Sequence, residues 1–207
     1  MRGRFISLEG GEGAGKSTQL KQLAQSLRAR GLDVVETREP GGSRGAEAIR
    51  TLLLQGEQER WSPRAEALLF AAARADHVER LISPALERGQ WVLCDRFLDS
   101  SIAYQGGAGG IGKDAIMELH RIGSCGLLPD RTLLLELPPE AAAARARQRD
   151  GGEADRIGAR NARYHAKVAA AFAALAQAEA DRFRRIDATG DADQVTERLI
   201  AAIADFL

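Results

Sequence analysis

Apolar residues follow two rhythms along this chain. Short, mostly apolar runs predict buried strands at residues 5–8, 91–94 and 132–137, and Val34-Val35 and Arg185-Ile186-Asp187 predict two further short ones. Elsewhere the apolar positions fall three and four apart. Leu20, Leu23, Ala24 and Leu27 do so within residues 17–30, and Gly31 supplies a C-terminal stop. Helices are also expected over 44–55, over 63–88 with Gly89 as the stop, over 113–122 and over 193–206. Another opens at Pro138-Pro139, since proline is tolerated in a first turn, and a long alanine-rich one runs to about residue 179. Asp95 ends the third strand, and the second leads into the turn-rich Arg38-Glu39-Pro40-Gly41-Gly42. A glycine-rich patch fills 106–112, and 145–156 reads as a charged, glycine-interrupted stretch between two helices.

Strands alternating with helices mean parallel crossovers, hence an α/β fold with a five-stranded sheet covered on both faces. No internal repeat, low-complexity tail or linker breaks the chain, and 207 residues fit one domain spanning 1–207. Composition narrows the partners. Lys+Arg and Asp+Glu are both 29, giving no net charge, whereas a nucleic-acid binder needs a basic excess to neutralise phosphates. Cys94 and Cys125 are too few for a disulfide framework or a metal cluster, which suits a reducing cytoplasm. The longest apolar run, 168–176, is about half the roughly 20 residues of a membrane span. With a functional loop already starting at Gly10, no cleaved leader is expected.

That loop carries the chemistry. Gly10, Gly11, Glu12, Gly13, Ala14, Gly15, Lys16 and Ser17 fit Gly-x-x-x-x-Gly-Lys-[Ser/Thr], preceded by an apolar strand and followed by a helix. The glycines let backbone N–H groups turn around a polyphosphate such as that of ATP, Lys16 reaches its outer phosphates, and Ser17 can ligate Mg²⁺. The helix directs its positive end at the same anion. Asp95, ending an apolar strand, is the natural second group near the metal. These features predict a three-layer fold of the P-loop nucleotide-binding type.

The fold alone serves switches, ATPases and kinases. The guanine-reading Asn-Lys-x-Asp is absent, and positions 11 to 14 hold no second loop lysine of the partition-ATPase kind. Several segments, in order, resemble bacterial thymidylate kinases: Glu12 in the loop, Arg38-Glu39-Pro40-Gly41-Gly42, Phe70-Ala71-Ala72-Ala73-Arg74, Asp95-Arg96-Phe97 with Ser100-Ser101 and Ala103-Tyr104-Gln105, Asp155-Arg156, and Ile186-Asp187-Ala188-Thr189. The resemblance implies ATP-dependent conversion of dTMP to dTDP, Mg²⁺ dependence and a homodimer. It assigns the acceptor phosphate to Arg96 and Arg38, ring stacking to Phe70 and a base carbonyl to Arg74. Tyr104 closes over the sugar against a 2′-OH, Ser101 and Gln105 border the base, and Glu12 takes the 3′-OH.

The residue types leave alternatives beside each role. Arg38 and Arg96 could be salt bridges to Glu39 or Asp95, Phe70 could be core, and Glu12 could point to solvent. Arg145, Arg147, Arg149, Arg156, Arg160 and Arg163 form the densest basic region, and a solvated helix face is one reading of it. The other is an arginine-rich lid over about 145–158, hinged at Gly151-Gly152, with Arg149 and Arg156 as its catalytic cations. His77, His120 and His165 have no ligand-like spacing. Another nucleoside monophosphate kinase, or a switch ATPase, stays open at this point. The long helix from Pro63 is the expected subunit contact.

Overall fold

The computed structural model describes residues 2–57, 59–150 and 155–207, with side chains outside 146–150. Five strands form one parallel sheet: β1 (Phe5–Glu9), β2 (Val34–Arg38), β3 (Trp91–Asp95), β4 (Arg131–Glu136) and β5 (Phe183–Asp187). Their order is β2-β3-β1-β4-β5. Chain connections therefore leave β1 in opposite directions, and the crevice beyond its carboxyl end is where such sheets bind ligands. Register brings the right residues to that edge, because Leu8 and Arg38 both pair with Asp95.

The two-residue period of a strand explains the two cores. Phe5, Val92, Cys94 and Leu134 face one side; Ile6, Leu8, Leu93, Leu133 and Leu135 face the other. The second side is covered by α1 (Lys16–Ala29) and α9 (Ala192–Ala201), through Leu20, Leu23, Leu27, Val195 and Leu199. The first is covered by α3 (Pro63–His77), α6 (Lys113–Gly123) and α8 (Ala162–Ala178), through Ala67, Ile116, Val168, Phe172 and Leu175. Further helices are α2 (Arg44–Leu54), α4 (Ser83–Glu87), the short α5 (Leu98–Ser101) and α7 (Pro139–Asp150). Among the described residues no helix is long and apolar enough to cross a membrane.

Four expectations need correction. The helix expected over 63–88 is not uniform: a π-helical turn, Val78–Ile82, separates α3 from α4. Pro84 lies two residues beyond its end, and the proline ring would otherwise press on the carbonyl four residues back. Residues 98–108, expected to lead into a glycine-rich patch, are helical, α5 running into a second π-helical turn at Ile102–Ala108. Tertiary burial overrides the glycines there, since Ile102, Ala103 and Tyr104 enter the core. Finally, α7 continues to Asp150, so the charged stretch begins inside a helix, and the last helix ends at Ala201 before a short 3₁₀ turn at Ala204–Phe206.

One buried ion pair ties α5 to the far side of the sheet. Arg182 donates to both carboxylate oxygens of Asp99, at 2.7 and 2.8 Å, and Thr132 adds a third hydrogen bond at 2.9 Å. Asp99 is fully buried. Removing one partner of such a pair leaves the other charge uncompensated, so Asp99→Ala should lower stability by about 3–5 kcal/mol. Urea titration measures it; a loss below about 1 kcal/mol would mean that Arg182 finds solvent at little cost.

Candidate active site

The loop between β1 and α1 is shaped by positions only glycine fills easily. Gly10 has φ 139°, and a β-carbon there would lie 2.5 Å from the Leu135 carbonyl oxygen. Gly15, at φ 88°, is the N-cap of α1 and offers no side-chain cap. The first amides of a fourteen-residue helix thus point uncapped at the loop, which is the donor arrangement a polyphosphate needs. Lys16 folds back over it, donating to the carbonyls of Gly10 at 3.1 Å and Gly11 at 2.8 Å. Burial, with the Arg96 charge adding to it, lowers its pKa to about 8; Asp95, Glu12 and Glu9 pull the other way. Ser17 donates its hydroxyl to Asp95 at 2.6 Å. Two oxygens, one hydroxyl and one carboxylate, suit a hard cation that takes its other ligands from phosphates and water. Among the described residues no group of three His, Cys, Asp or Glu side chains could hold a metal by itself.

Arg96 follows Asp95 in a left-handed conformation, φ 68°, unusual for a side chain of its size. Backbone bonds hold it there: its N–H donates to Leu8 at 3.0 Å, and the next N–H, of Phe97, to the Glu9 carboxylate at 2.7 Å. The guanidinium reaches Gly10 O at 3.1 Å, the Ser100 hydroxyl at 3.1 Å and Glu12 at 2.6 Å, and lies 5.1 Å over the Tyr104 ring. Ser100 in turn donates to Glu9 at 2.6 Å. Burial opposes the Arg96 charge, but Tyr104, Glu12, Asp95 and Glu9 outweigh it and hold its pKa above the ordinary value. Glu9 is raised to about 8 by burial, with Asp99 adding to the shift. Tyr104 is raised to about 12, again by burial, and its hydroxyl lies 3.4 Å from Glu12.

A cleft of about 640 Å³ joins these groups to a second half. Arg38, at the end of β2, is exposed and pairs with Glu47 at 3.1 Å. Arg50, on α2, reaches the same cleft while donating to Pro40 O at 2.6 Å; burial and the nearby Arg38 lower its pKa. Half-buried Phe70 and buried Arg74 line one wall from α3, and Ser101, Tyr104 and Gln105 line the next. Ser101 accepts from Arg74 at 2.8 Å, and Gln105 donates to Glu66 at 3.0 Å. Gly10, Gly11 and Ala14 shape the loop without lining the cleft, whereas Glu12, Gly13, Gly15, Lys16 and Ser17 do line it.

The lid residues divide. Arg156 is buried instead of facing the cleft: it donates to Glu66 at 2.6 Å and to Leu53 O at 2.7 Å, and Arg160 meets the same carboxylate at 2.7 Å. A buried carboxylate on α3 thus holds the residue expected to be a lid cation, and in this structure it does not line the cleft. The side chains of Arg147 and Arg149, and the Gly151-Gly152 break, lie outside the described residues. Arg145, on α7, lines the cleft near Gly15. Sequence reasoning missed Arg50 and Glu9. Arg50 looks like any exposed helical arginine; Glu9 had a signal, an acid closing an otherwise apolar strand.

The thymidylate kinase family model matches residues 8–199. A thymidylate kinase of Rhizorhabdus wittichii is 63% identical over 207 residues, 100% of both chains. One of Caulobacter vibrioides is 50% identical over 206 residues, 99% of this chain and 95% of its own. Among solved structures, the crystal structure of thymidylate kinase from Ehrlichia chaffeensis is similar with a TM-score of 0.79 at 30% identity, covering 99% of each chain.

The Lys16 environment yields a test. A polyanion in the loop favours the charged amine and draws its pKa back from about 8 toward 10.5. Binding a non-hydrolysable ATP analogue above pH 8 should therefore take up protons, and affinity should fall as pH rises through that range. Calorimetry at pH 8.5 in buffers of different ionisation heat measures the uptake; none would show that Lys16 does not meet the anion.

Proposed function

Because the chain belongs to the thymidylate kinase family, we propose that its cleft seats two nucleotides end to end, ATP at the glycine loop and dTMP over Phe70, with Arg96 between them. The protein is a nucleoside monophosphate kinase that phosphorylates dTMP to dTDP. The observation that carries the residue assignment is the continuity of the cleft from Lys16 and Ser17, past Arg96, to Phe70 and Arg74.

An acceptor monophosphate is a dianion, and Arg96, Arg50 and Arg38 offer guanidinium groups at the sheet edge where it would lie. Its oxygen attacks the terminal phosphorus of ATP while the bond to the ADP oxygen breaks, so no covalent enzyme intermediate is required. Catalysis is then positioning and charge neutralisation. Lys16 and the amides of α1 hold the donor phosphates, and Ser17 and Asp95 would hold Mg²⁺, which when bound neutralises phosphate charge. Glu12, steadied by Arg96 and near Tyr104, takes the acceptor 3′-OH. Tyr104 closes the space a 2′-OH would need, Arg74 meets a base carbonyl, and Ser101 and Gln105 border the ring. With Arg156 engaged by Glu66, Arg149 is the lid cation we assign, with Arg145 and Arg147 as reserves.

The family also supports a homodimer in the cytoplasm. Leu52 on α2, Leu68 on α3 and Ile122 on α6 expose apolar side chains on helices suited to meet a second copy. Cys94 and Cys125 are free thiols, as a reducing compartment allows.

Two outcomes test the reading. Lys16→Ala should abolish transfer while leaving the thermal melt near that of the parent, since among the described residues the Lys16 amine hydrogen-bonds only loop carbonyls; near-normal turnover would sink the assignment. Among acceptors, dTMP should be best, dUMP about 10–200-fold poorer for the loss of one methyl contact, and UMP poorest because its 2′-OH meets Tyr104. Coupled assays over dTMP, dUMP, UMP, CMP, AMP and GMP measure the order, and equal efficiency with UMP and dTMP would remove Tyr104 from its role.

A further inference from the structure

Beneath the base end of the cleft Arg74 belongs to a buried polar network whose other members, Glu39, His77 and Thr37, have no role in the transfer reaction as described so far. Glu39 follows β2, and its side chain is 4% exposed; Arg74 is 3% and His77 0%. Arg74 Nε donates to Glu39 Oε2 at 2.7 Å, and His77 Nδ1 lies 3.0 Å from Glu39 Oε1. Behind them, Thr37 Oγ1 and His77 Nε2 are 2.7 Å apart. Gly42 caps the arrangement, since a β-carbon there would collide with both His77 Nε2 and Thr37 Oγ1. On its other side Arg74 Nη2 donates to Ser101 Oγ at 2.8 Å and Phe97 O at 3.3 Å.

These bonds determine which guanidinium edge is left over. Nε and Nη2 are engaged, Nη1 has no hydrogen bond among the described residues, and Arg74 lines the cleft. An arginine is a donor only. A carbonyl oxygen opposite Nη1 completes its bonding, whereas an amino group there sets donor against donor in a buried place. A single arginine on a helix could swing among several rotamers; the carboxylate behind it selects one.

We propose that Glu39, held by His77 and Thr37, is a positioning residue that aims Arg74 Nη1 into the cleft and so makes the site prefer a base bearing a carbonyl there over one bearing an amino group. The proposal rests on the reading that Arg74 faces the acceptor base, and the experiment separates the two. Steady-state kinetics with dTMP and dCMP are compared for the parent, Arg74→Met, Glu39→Gln, His77→Leu and His77→Asn. Arg74→Met should lower the dTMP-to-dCMP ratio of kcat/KM; an unchanged ratio would remove the base-facing reading and this proposal with it. Glu39→Gln should lower kcat/KM for dTMP by about 10–100-fold, mainly through KM, with KM for ATP within about twofold, so that the ratio falls by about tenfold or more. His77→Leu should move the ratio the same way by less, and His77→Asn, whose amide N–H reproduces the Nδ1 donor, should restore it. If Arg74→Met shifts the ratio but Glu39→Gln and His77→Leu depress both substrates in proportion, the network only supports the fold and the proposal fails. Should Glu39→Gln not fold, by circular dichroism, the His77 pair decides: no fall with leucine, or no recovery with asparagine, overturns it.

Discussion

The site depends on a carboxylate that never reaches solvent. Glu9, at the end of the central strand, accepts from the Phe97 amide and the Ser100 hydroxyl and so holds the chain leaving β3 in the left-handed turn that presents Arg96. Burying a lone carboxylate is costly, and its pKa rises to about 8 for that reason. The arrangement persists because both Glu9 oxygens accept a hydrogen bond. A donor chain runs from Arg96 through the Ser100 hydroxyl to Glu9, giving the buried acid an indirect counter-charge. Strain at φ 68° is tolerated where surrounding bonds over-determine it, as they do here.

From that constraint follows the electrostatic character of the cleft. It holds several cations, yet the chain carries no net charge, and the arginines at the acceptor end are matched by acids: Arg96 by Glu12, Arg38 by Glu47, Arg74 by Glu39. On the proposed reading an incoming phosphate competes with Glu47 for Arg38 in an exposed setting, where the pair is worth about 0–1 kcal/mol. The Arg74–Glu39 pair is buried, and no ligand charge replaces it. Exposed pairs can exchange partners during binding, and buried ones hold shape. This division separates the groups suited to grip phosphate from those suited to read the base.

Glu66 makes the same distinction within the arginine-rich region. By capturing Arg156 and Arg160, and accepting from Gln105, it ties the segment after residue 154 to the wall of the cleft that Phe70 and Gln105 line. Arginines close in sequence thus lie in different settings, Arg145 lining the cleft beside the glycine loop and Arg156 buried against Glu66.

Much of this was legible in the chain itself. Strand and helix order, the all-parallel sheet and the glycine loop follow from local causes: apolar period, helix stops, and backbone conformations that only glycine adopts readily, as at Gly10 and Gly15. The helical run from Leu98 to Ala108 was not legible, because its glycines argue against a helix and only packing of Ile102 and Tyr104 against the core overrides them. Nor was the division among charged residues. Arg50, Arg74 and Arg156 are alike as sequence symbols, and nothing in their immediate neighbours tells them apart. Whether one faces the cleft, supports its floor or is locked away depends on which carboxylate lies opposite, and those carboxylates come from positions far along the chain: Glu39 for Arg74, 35 residues away, and Glu66 for Arg156, 90 residues away. Local sequence determined the elements and the loop that binds phosphate; the partners of the charges were decided by tertiary structure, because a buried ion pair is a property of two distant residues and the space between them.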